Sequence, residues 1–155
     1  MEAFEELEQQ PLINIRVATR NDIDPVMEIN NQFTYNWTRD KFEDLFNYEA
    51  QLAVLEDQGQ ILGYIAYMIF LDEARILNVV VAPGYQGLGF GERLMRYALN
   101  DIKARQVEWT LLDVSVRNVT AINLYTKLDF KILCRRKNYY AIYDGADAYF
   151  MQLGE

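Results

Sequence analysis

From Pro83 to Gly91 the chain reads Pro-Gly-Tyr-Gln-Gly-Leu-Gly-Phe-Gly, so four of its eight glycines fall within nine residues. The run before it, ILNVVVAP, is apolar and β-branched, as a buried strand is. The run after it carries Leu94, Ala98, Leu99 and Ile102 on one face of a helix expected over about 89–105. A strand that becomes a helix across such a segment needs glycines, which turn tightly and approach a ligand closely. Several amide N–H groups then converge at a helix N-terminus, whose partial positive charge favours phosphate. A phosphate-binding loop is therefore expected, although a turn that merely joins strand to helix would read the same way.

The remaining elements follow from periodicity and punctuation. INIRVA (13–18) alternates as a strand. Asp22 and Pro25 open a helix through about Asn30, and Thr38 is an N-cap for a second helix whose stripe is Phe42, Leu45 and Phe46. QLAVLE (51–56) and ILGYIAYMIF (61–70) read as strands joined by a hairpin turn at Gly59, and EARILNVVVAP (73–83) as another strand. WTLLDVSV (109–116) is a strand, Asn118 or Thr120 starts a short helix ending near Leu128, and FKILCRRKNYY and ADAYFMQL close the chain as strands. The order β α α β β β α β α β β implies an α/β (α+β) mixed sheet covered on both faces. A chain of 155 residues fits one domain, with residues 1–12 as an N-terminal extension.

Composition narrows the chemistry. The chain has no histidine, which removes Ser-His-Asp and Cys-His triads and histidine-based zinc sites, and no metal is expected. Its single cysteine, Cys134, permits no intramolecular disulfide. A base must then be a carboxylate, a Tyr, a Lys or a water. The net charge of −8 argues against direct nucleic-acid binding, which needs clustered Lys and Arg, while suiting a basic peptide or simply solubility. No apolar stretch approaches the roughly 20 residues of a membrane span, and the acidic start MEAFEELEQQ is unlike a signal peptide, so no membrane and a cytoplasmic location are expected.

The loop fails two familiar phosphate patterns. Gly84 and Gly89 have the spacing of a nucleotide P-loop, but Phe90 and Gly91 stand where Lys and Ser/Thr belong; the GxGxxG fingerprint fails at Glu92. Gln86, Gly89 and Gly91 instead meet Gln/Arg-x-x-Gly-x-Gly/Ala, which resembles the acetyl-CoA pyrophosphate loop of the Gcn5-related N-acetyltransferases (GNAT). Leu112, Val114, Asn118, Ala121, Leu124, Tyr125 and Phe130 resemble that family's LEVRxSNxxAxxLYxxxGF stretch. Asn36-Trp37-Thr38, Arg136-Lys137-Asn138-Tyr139-Tyr140 and Asp147-Ala148-Tyr149-Phe150-Met151 resemble its RimI-type ribosomal-protein-alanine branch. The likeness runs from about 13 to 153. It departs at Asp113, where the family has Glu, at Arg117, where it has Ser, and at Asp129, where it has Gly; Asp tolerates the positive φ expected there better than most residues.

The resemblance implies a GNAT fold, a mostly antiparallel sheet of about seven strands with about four helices. It implies acetyl transfer from acetyl-CoA to the N-terminal alanine of a small-subunit ribosomal protein by direct attack. Tyr125 is then the general acid, and Asp113 with a water the base, with Glu73 as runner-up. Backbone at Val79, Val80 and Val81 holds the pantetheine arm, Gln86, Gly87, Leu88, Gly89, Phe90 and Gly91 the pyrophosphate, and Asn118 and Tyr125 also contact the cofactor. Each has a plainer alternative: Tyr125 a core aromatic, Asn118 an N-cap, Asp113 a solvated strand residue, Arg117 either a phosphate ligand or a solvent-facing charge. Two other functions stay open, acetylation of another amine (another protein N-terminus, a polyamine, an aminoglycoside) and an acetyl-CoA-binding module without turnover. The closing strands offer an edge on which a second copy could pair.

Overall fold

The structure, a computed structural model, describes residues 12–48 and 50–154; the expected extension lies outside these except for Leu12. The elements are β1 (Ile13–Val17), a 3-10 turn (Arg20–Asp22), α1 (Ile23–Asn30), α2 (Arg39–Asn47), β2 (Gln51–Asp57), β3 (Gln60–Phe70), β4 (Glu73–Val81), α3 (Phe90–Ala104), β5 (Trp109–Ser115), α4 (Val119–Lys127), β6 (Lys131–Arg136) and β7 (Ala148–Leu153). The seven strands lie in the order β1-β2-β3-β4-β5-β7-β6, with β4 and β5 parallel and β1–β2, β5–β7 and β6–β7 antiparallel. The mixed sheet expected from the sequence is observed. No helix among the described residues is long and apolar enough to cross a membrane.

The chain forms two compact units, one up to Ala66 together with Asn78–Ala98, the other Tyr67–Leu77 together with the chain from Leu99 onward. In the first, β2 and β3 are joined by Gln58 and Gly59 alone, with φ of 51° and 83°. Both values are positive, as a two-residue turn matching the strands' twist requires. Leu52–Leu55 and Gly63–Ala66 are buried without alternation, so both faces are covered. Successive side chains of β3 supply the two covers. Tyr64 meets Phe42 of α2 edge-on at 5.8 Å, while a Cβ on Gly63 would lie 2.9 Å from the Val80 carbonyl oxygen and 3.2 Å from Leu94 of α3. Glycine is needed at 63 for this approach, not for its φ.

Entry to α1 is a charge-locked cap. The Asp22 carboxylate accepts from the Thr19 amide at 2.7 Å and from the two terminal guanidinium nitrogens of Arg16 at 2.8 and 2.9 Å. The Arg16 hydrogen bonds hold this buried carboxyl below the usual range, against the effect of desolvation. The buried Asn30 amide then closes on the Trp37 backbone, donating to its oxygen and accepting from its nitrogen, both at 2.8 Å. Thr38 caps α2 through Lys41 N, as expected.

In the second unit, Thr110, Leu112 and Val114 of β5 are buried on one face, leaving Leu111 and Asp113 on the other. The Tyr67 hydroxyl donates to Asp101 of α3 at 2.6 Å. Asp129, just past α4, has φ 73°, the left-handed conformation anticipated for the family's glycine. One boundary differs from expectation: β6 ends at Arg136 instead of running through Tyr140. Asn138 turns at φ 54° and its amide is taken by Asp147 at 2.8 Å, so residues 137–144 form turns.

Two substitutions test this packing. Gly63→Ala overpacks the β3–β4 approach and should cost about 1–3 kcal/mol in denaturant titration. The Tyr64 hydroxyl is buried with no hydrogen-bond partner, so Tyr64→Phe should leave the denaturation midpoint equal or raise it.

Candidate functional site

The loop between β4 and α3 belongs to the first unit. Tyr85 N donates to Ala82 O at 3.0 Å, and the Gln86 side-chain amide folds back to Val81 O at 3.2 Å, closing the loop's base on the end of β4. Gly84, Gly87 and Gly89 have φ of 90°, 80° and 83°, and a Cβ at any of them would meet nothing within 4 Å. Backbone conformation, not space, demands glycine there, and the loop's surface stays open. Arg93 N donates to Gly89 O at 3.1 Å, the first i−4 bond of α3, so the amides of Phe90 and Gly91 before it lie in the turn that has no i−4 acceptor within the helix. Open glycines leading into free amides at a helix N-terminus fit a diphosphate. Phe90 is buried and anchors the helix, whereas Leu88 projects outward. Val79–Val81 are half-buried, with their backbone at the end of β4. A cavity of about 430 Å³, lined by Glu28, Ile29, Leu62, Pro83 and Tyr85 among others, reaches the start of this loop.

The second unit carries the titratable residues. Asp113, with its side chain 8% exposed, sits between two guanidinium groups: Arg75 Nη1 is 3.6 Å from Oδ2 and Arg136 Nε 3.0 Å from Oδ1. The closer contact is an ion pair without hydrogen-bond alignment, since Asp113 Oδ1 and Arg136 Nε are both buried without a hydrogen-bond partner. Both guanidiniums lie over the ring of Phe150, at 4.3 Å for Arg136 and 5.7 Å for Arg75, and Phe150 is the β7 residue paired with Asp113. Arg136 also approaches the Tyr139 ring at 6.0 Å. Burial, then the Asp113 carboxylate, pushes the Tyr139 phenol up. Glu73 faces the same side of the sheet, but it pairs with Trp109, four residues before Asp113 on β5 and so roughly 13 Å away along the strand. Glu73 and Asp113 are therefore alternatives and not a pair.

Tyr125 is buried near the end of α4, its ring 5.9 Å from Phe130. Burial pushes its phenol up, so it holds its proton throughout the neutral range. Asn118 is the N-cap of α4, its Oδ1 accepting from Ala121 N at 3.1 Å. Arg117 does not face solvent alone: it pairs with Asp144 at 3.1 Å, pinning the β6–β7 connection. Asp147 reinforces that connection through Arg135 at 2.7 Å and the Asn138 amide. Among the described residues no group of three or more His, Cys, Asp or Glu could hold a metal ion.

The sequence pointed to the loop, Tyr125 and Asp113, but not to the Arg75–Asp113–Arg136 cluster. Its members come from three strands, and no spacing along the chain links them. The one available signal was Arg136 in the Arg-x-x-Tyr-Tyr stretch.

Comparison with known proteins agrees with the geometry. Residues 23–130 match the model of the acetyltransferase (GNAT) family. A relative from Bacillus subtilis (strain 168), provisionally named ribosomal protein bS18-alanine N-acetyltransferase, is 38% identical over 143 residues, covering 88% of this chain and 94% of that protein. An N-alpha-acetyltransferase of Sulfurisphaera tokodaii is 32% identical over 163 aligned positions, covering 96% of each. The crystal structure of the ribosomal-protein-S18-alanine N-acetyltransferase from Escherichia coli superposes with a TM-score of 0.84 at 26% identity, covering 91% of this chain and 92% of that one.

Two measurements check the buried groups. Tyr64 and Tyr125 both have phenols raised by burial, so the unfolded chain releases these protons first as pH climbs. The stability they contribute is complete below about pH 10 and should fall above it, which alkaline denaturation would record. Asp113→Ala leaves two guanidiniums unpaired. They are 39% and 41% exposed, so the cost should be about 2 kcal/mol, below that of a fully buried pair.

Proposed function

The chain belongs to the acetyltransferase (GNAT) family, and on that premise we propose that it moves the acetyl group of acetyl-CoA to the α-amine of a protein N-terminus, the N-terminal alanine of a small-subunit ribosomal protein first among them. One observation carries the acceptor: the likeness to a relative named for that alanine covers 88% of the chain. The net charge of −8 supports a basic acceptor segment. The likeness to an archaeal N-alpha-acetyltransferase over 96% of the chain favours, as a second reading, a wider range of protein N-termini. We infer a cytoplasmic reaction and a single acetyltransferase domain.

Acetyl-CoA supplies an activated thioester. The amides of residues 86–91 hold its diphosphate, and backbone N–H groups around Val79 and Val81 hold its arm and polarise the carbonyl. Gln86 contributes through its backbone, because its side chain is engaged by Val81 O. Asn118 uses its Oδ1 as the helix cap and retains its amide hydrogens for the cofactor arm. Tyr125 keeps its proton at neutral pH and delivers it to the departing thiolate. No cysteine nucleophile is required, and Cys134 is exposed on β6.

The test is thiol release from acetyl-CoA with a short peptide beginning Ala-Arg-Tyr, with mass spectrometry of the product and an N-terminally blocked peptide as control. One acetyl group on the free α-amine is expected; acetyl-CoA binding without acetylation of any N-terminus would reject the acceptor. Tyr125→Phe should lower kcat about 100-fold, the low end of general-acid contributions. Full turnover in that variant would remove Tyr125 from the role. Gly89→Ala, at φ 83°, should weaken acetyl-CoA binding in calorimetry while leaving the acceptor's KM near its original value.

A further inference from the structure

Asp113 occupies the position where the family resemblance places a general base, yet the structure surrounds it with cations. Arg75 from β4 faces one oxygen and Arg136 from β6 the other, Phe150 of β7 lies beneath both guanidiniums, and Tyr139 follows on the turn after β6. Among the described residues, Arg75, Arg136 and Tyr139 are the charged and titratable groups packed against the carboxylate. Asp113 lies on the β5 backbone, one methylene shorter than the family's glutamate, with its Oδ1 shielded from solvent. Arg136 Nε lies 3.0 Å from that oxygen, in the space a water or an ammonium would need.

The same contacts give Asp113 another task. The cluster spans β4, β5, β7 and β6, which are neighbours in the sheet in that order. It fixes Arg136, the last residue of β6, where the chain enters the turns bearing Tyr139. That stretch is held again by Asp147 and by the Arg117–Asp144 pair, so its backbone is set on both sides of Tyr139.

We propose that Asp113 is a positioning residue that fixes Arg136 and the Tyr139 turn, and that the acceptor amine gives its proton to water instead of to this carboxylate. The proposal rests on the acetyl-transfer reading above. An α-amine has a pKa near 8, so roughly a quarter of it is neutral at pH 7.5 without a protein base. Its nitrogen lone pair forms the N–C bond, and the thioester C–S bond breaks with its electrons leaving on sulfur. The thiolate takes the Tyr125 proton. The surplus proton on nitrogen passes to water, and solvent restores Tyr125.

The experiment is kcat/KM against pH for two peptides differing only in the basicity of the N-terminal amine, one beginning with alanine and the other with 3-fluoroalanine. The acidic limb should move with the amine, by the difference in the amines' own pKa values. It should persist in Asp113→Asn, whose KM for peptide should rise about tenfold with kcat within about threefold, and Asp113→Glu should recover part of that KM. Arg136→Gln should raise KM in the same way. A limb that stays in place for both peptides and vanishes in Asp113→Asn, with kcat down 100-fold or more, would overturn the proposal and restore the carboxylate as base. So would loss of the limb in Glu73→Gln, or an unchanged KM in Arg136→Gln. The two-peptide comparison needs no variant, so a limb that stays in place for both peptides would overturn the proposal even if Asp113→Asn does not fold. No turnover on either peptide by the unaltered enzyme would overturn the acetyl-transfer reading and this proposal with it.

Discussion

A β-strand satisfies its amides sideways and a helix satisfies its own along the axis, so the chain between β4 and α3 must change both direction and hydrogen-bonding partner within eight residues. Left-handed glycines at 84, 87 and 89 make the change, and the Gln86 side chain ties the result to the end of β4. The first amides of α3, at Phe90 and Gly91, precede any residue that could serve as their i−4 acceptor within the helix. They form a donor surface that suits a diphosphate, and the glycines keep it free of side chains. The turn that permits the fold and the surface proposed for the cofactor are thus one construction.

Close approach of the flanking elements holds the turn in place. Gly63 lets β3 lie against the Val80 carbonyl and under Leu94, so both ends of the loop rest on packed structure. Phe90 is buried at the first residue of the helix, whereas Leu88, two residues earlier, is exposed; the loop is anchored at its exit and open in its middle. A site held within a fraction of an ångström by rigid elements on each side loses little entropy when its ligand arrives.

The second unit is organised by charge. Asp113 places an anion in a half-buried strand, and two guanidiniums stacked on Phe150 neutralise it from neighbouring strands. Such a cluster adds less to stability than apolar residues of the same volume would, because three charges lose hydration. Its value lies in specificity of geometry, since Arg136 carries the constraint to the turn that holds Tyr139. Tyr125 shows the opposite use of burial: without a charged partner, the low-dielectric interior keeps it neutral and protonated.

The order of elements, the glycine loop, the caps at Thr38 and Asn118 and the left-handed Asp129 were all legible in the chain, because each depends on residues within a few positions of one another. The family was legible for the same reason: its motifs are short and local. What the linear order could not show is which side chains meet across strands. Asp113 reads in sequence as a shortened base or a solvated strand residue, and the antiparallel and parallel registers alone bring Arg75, Arg136 and Phe150 to it. Likewise β6 stops at Arg136 because Asp147, nine residues beyond Asn138, captures that residue's amide. Local propensity and spacing decide elements and loops, but the state and role of a charge depend on its neighbours in space, and tertiary structure alone supplies those.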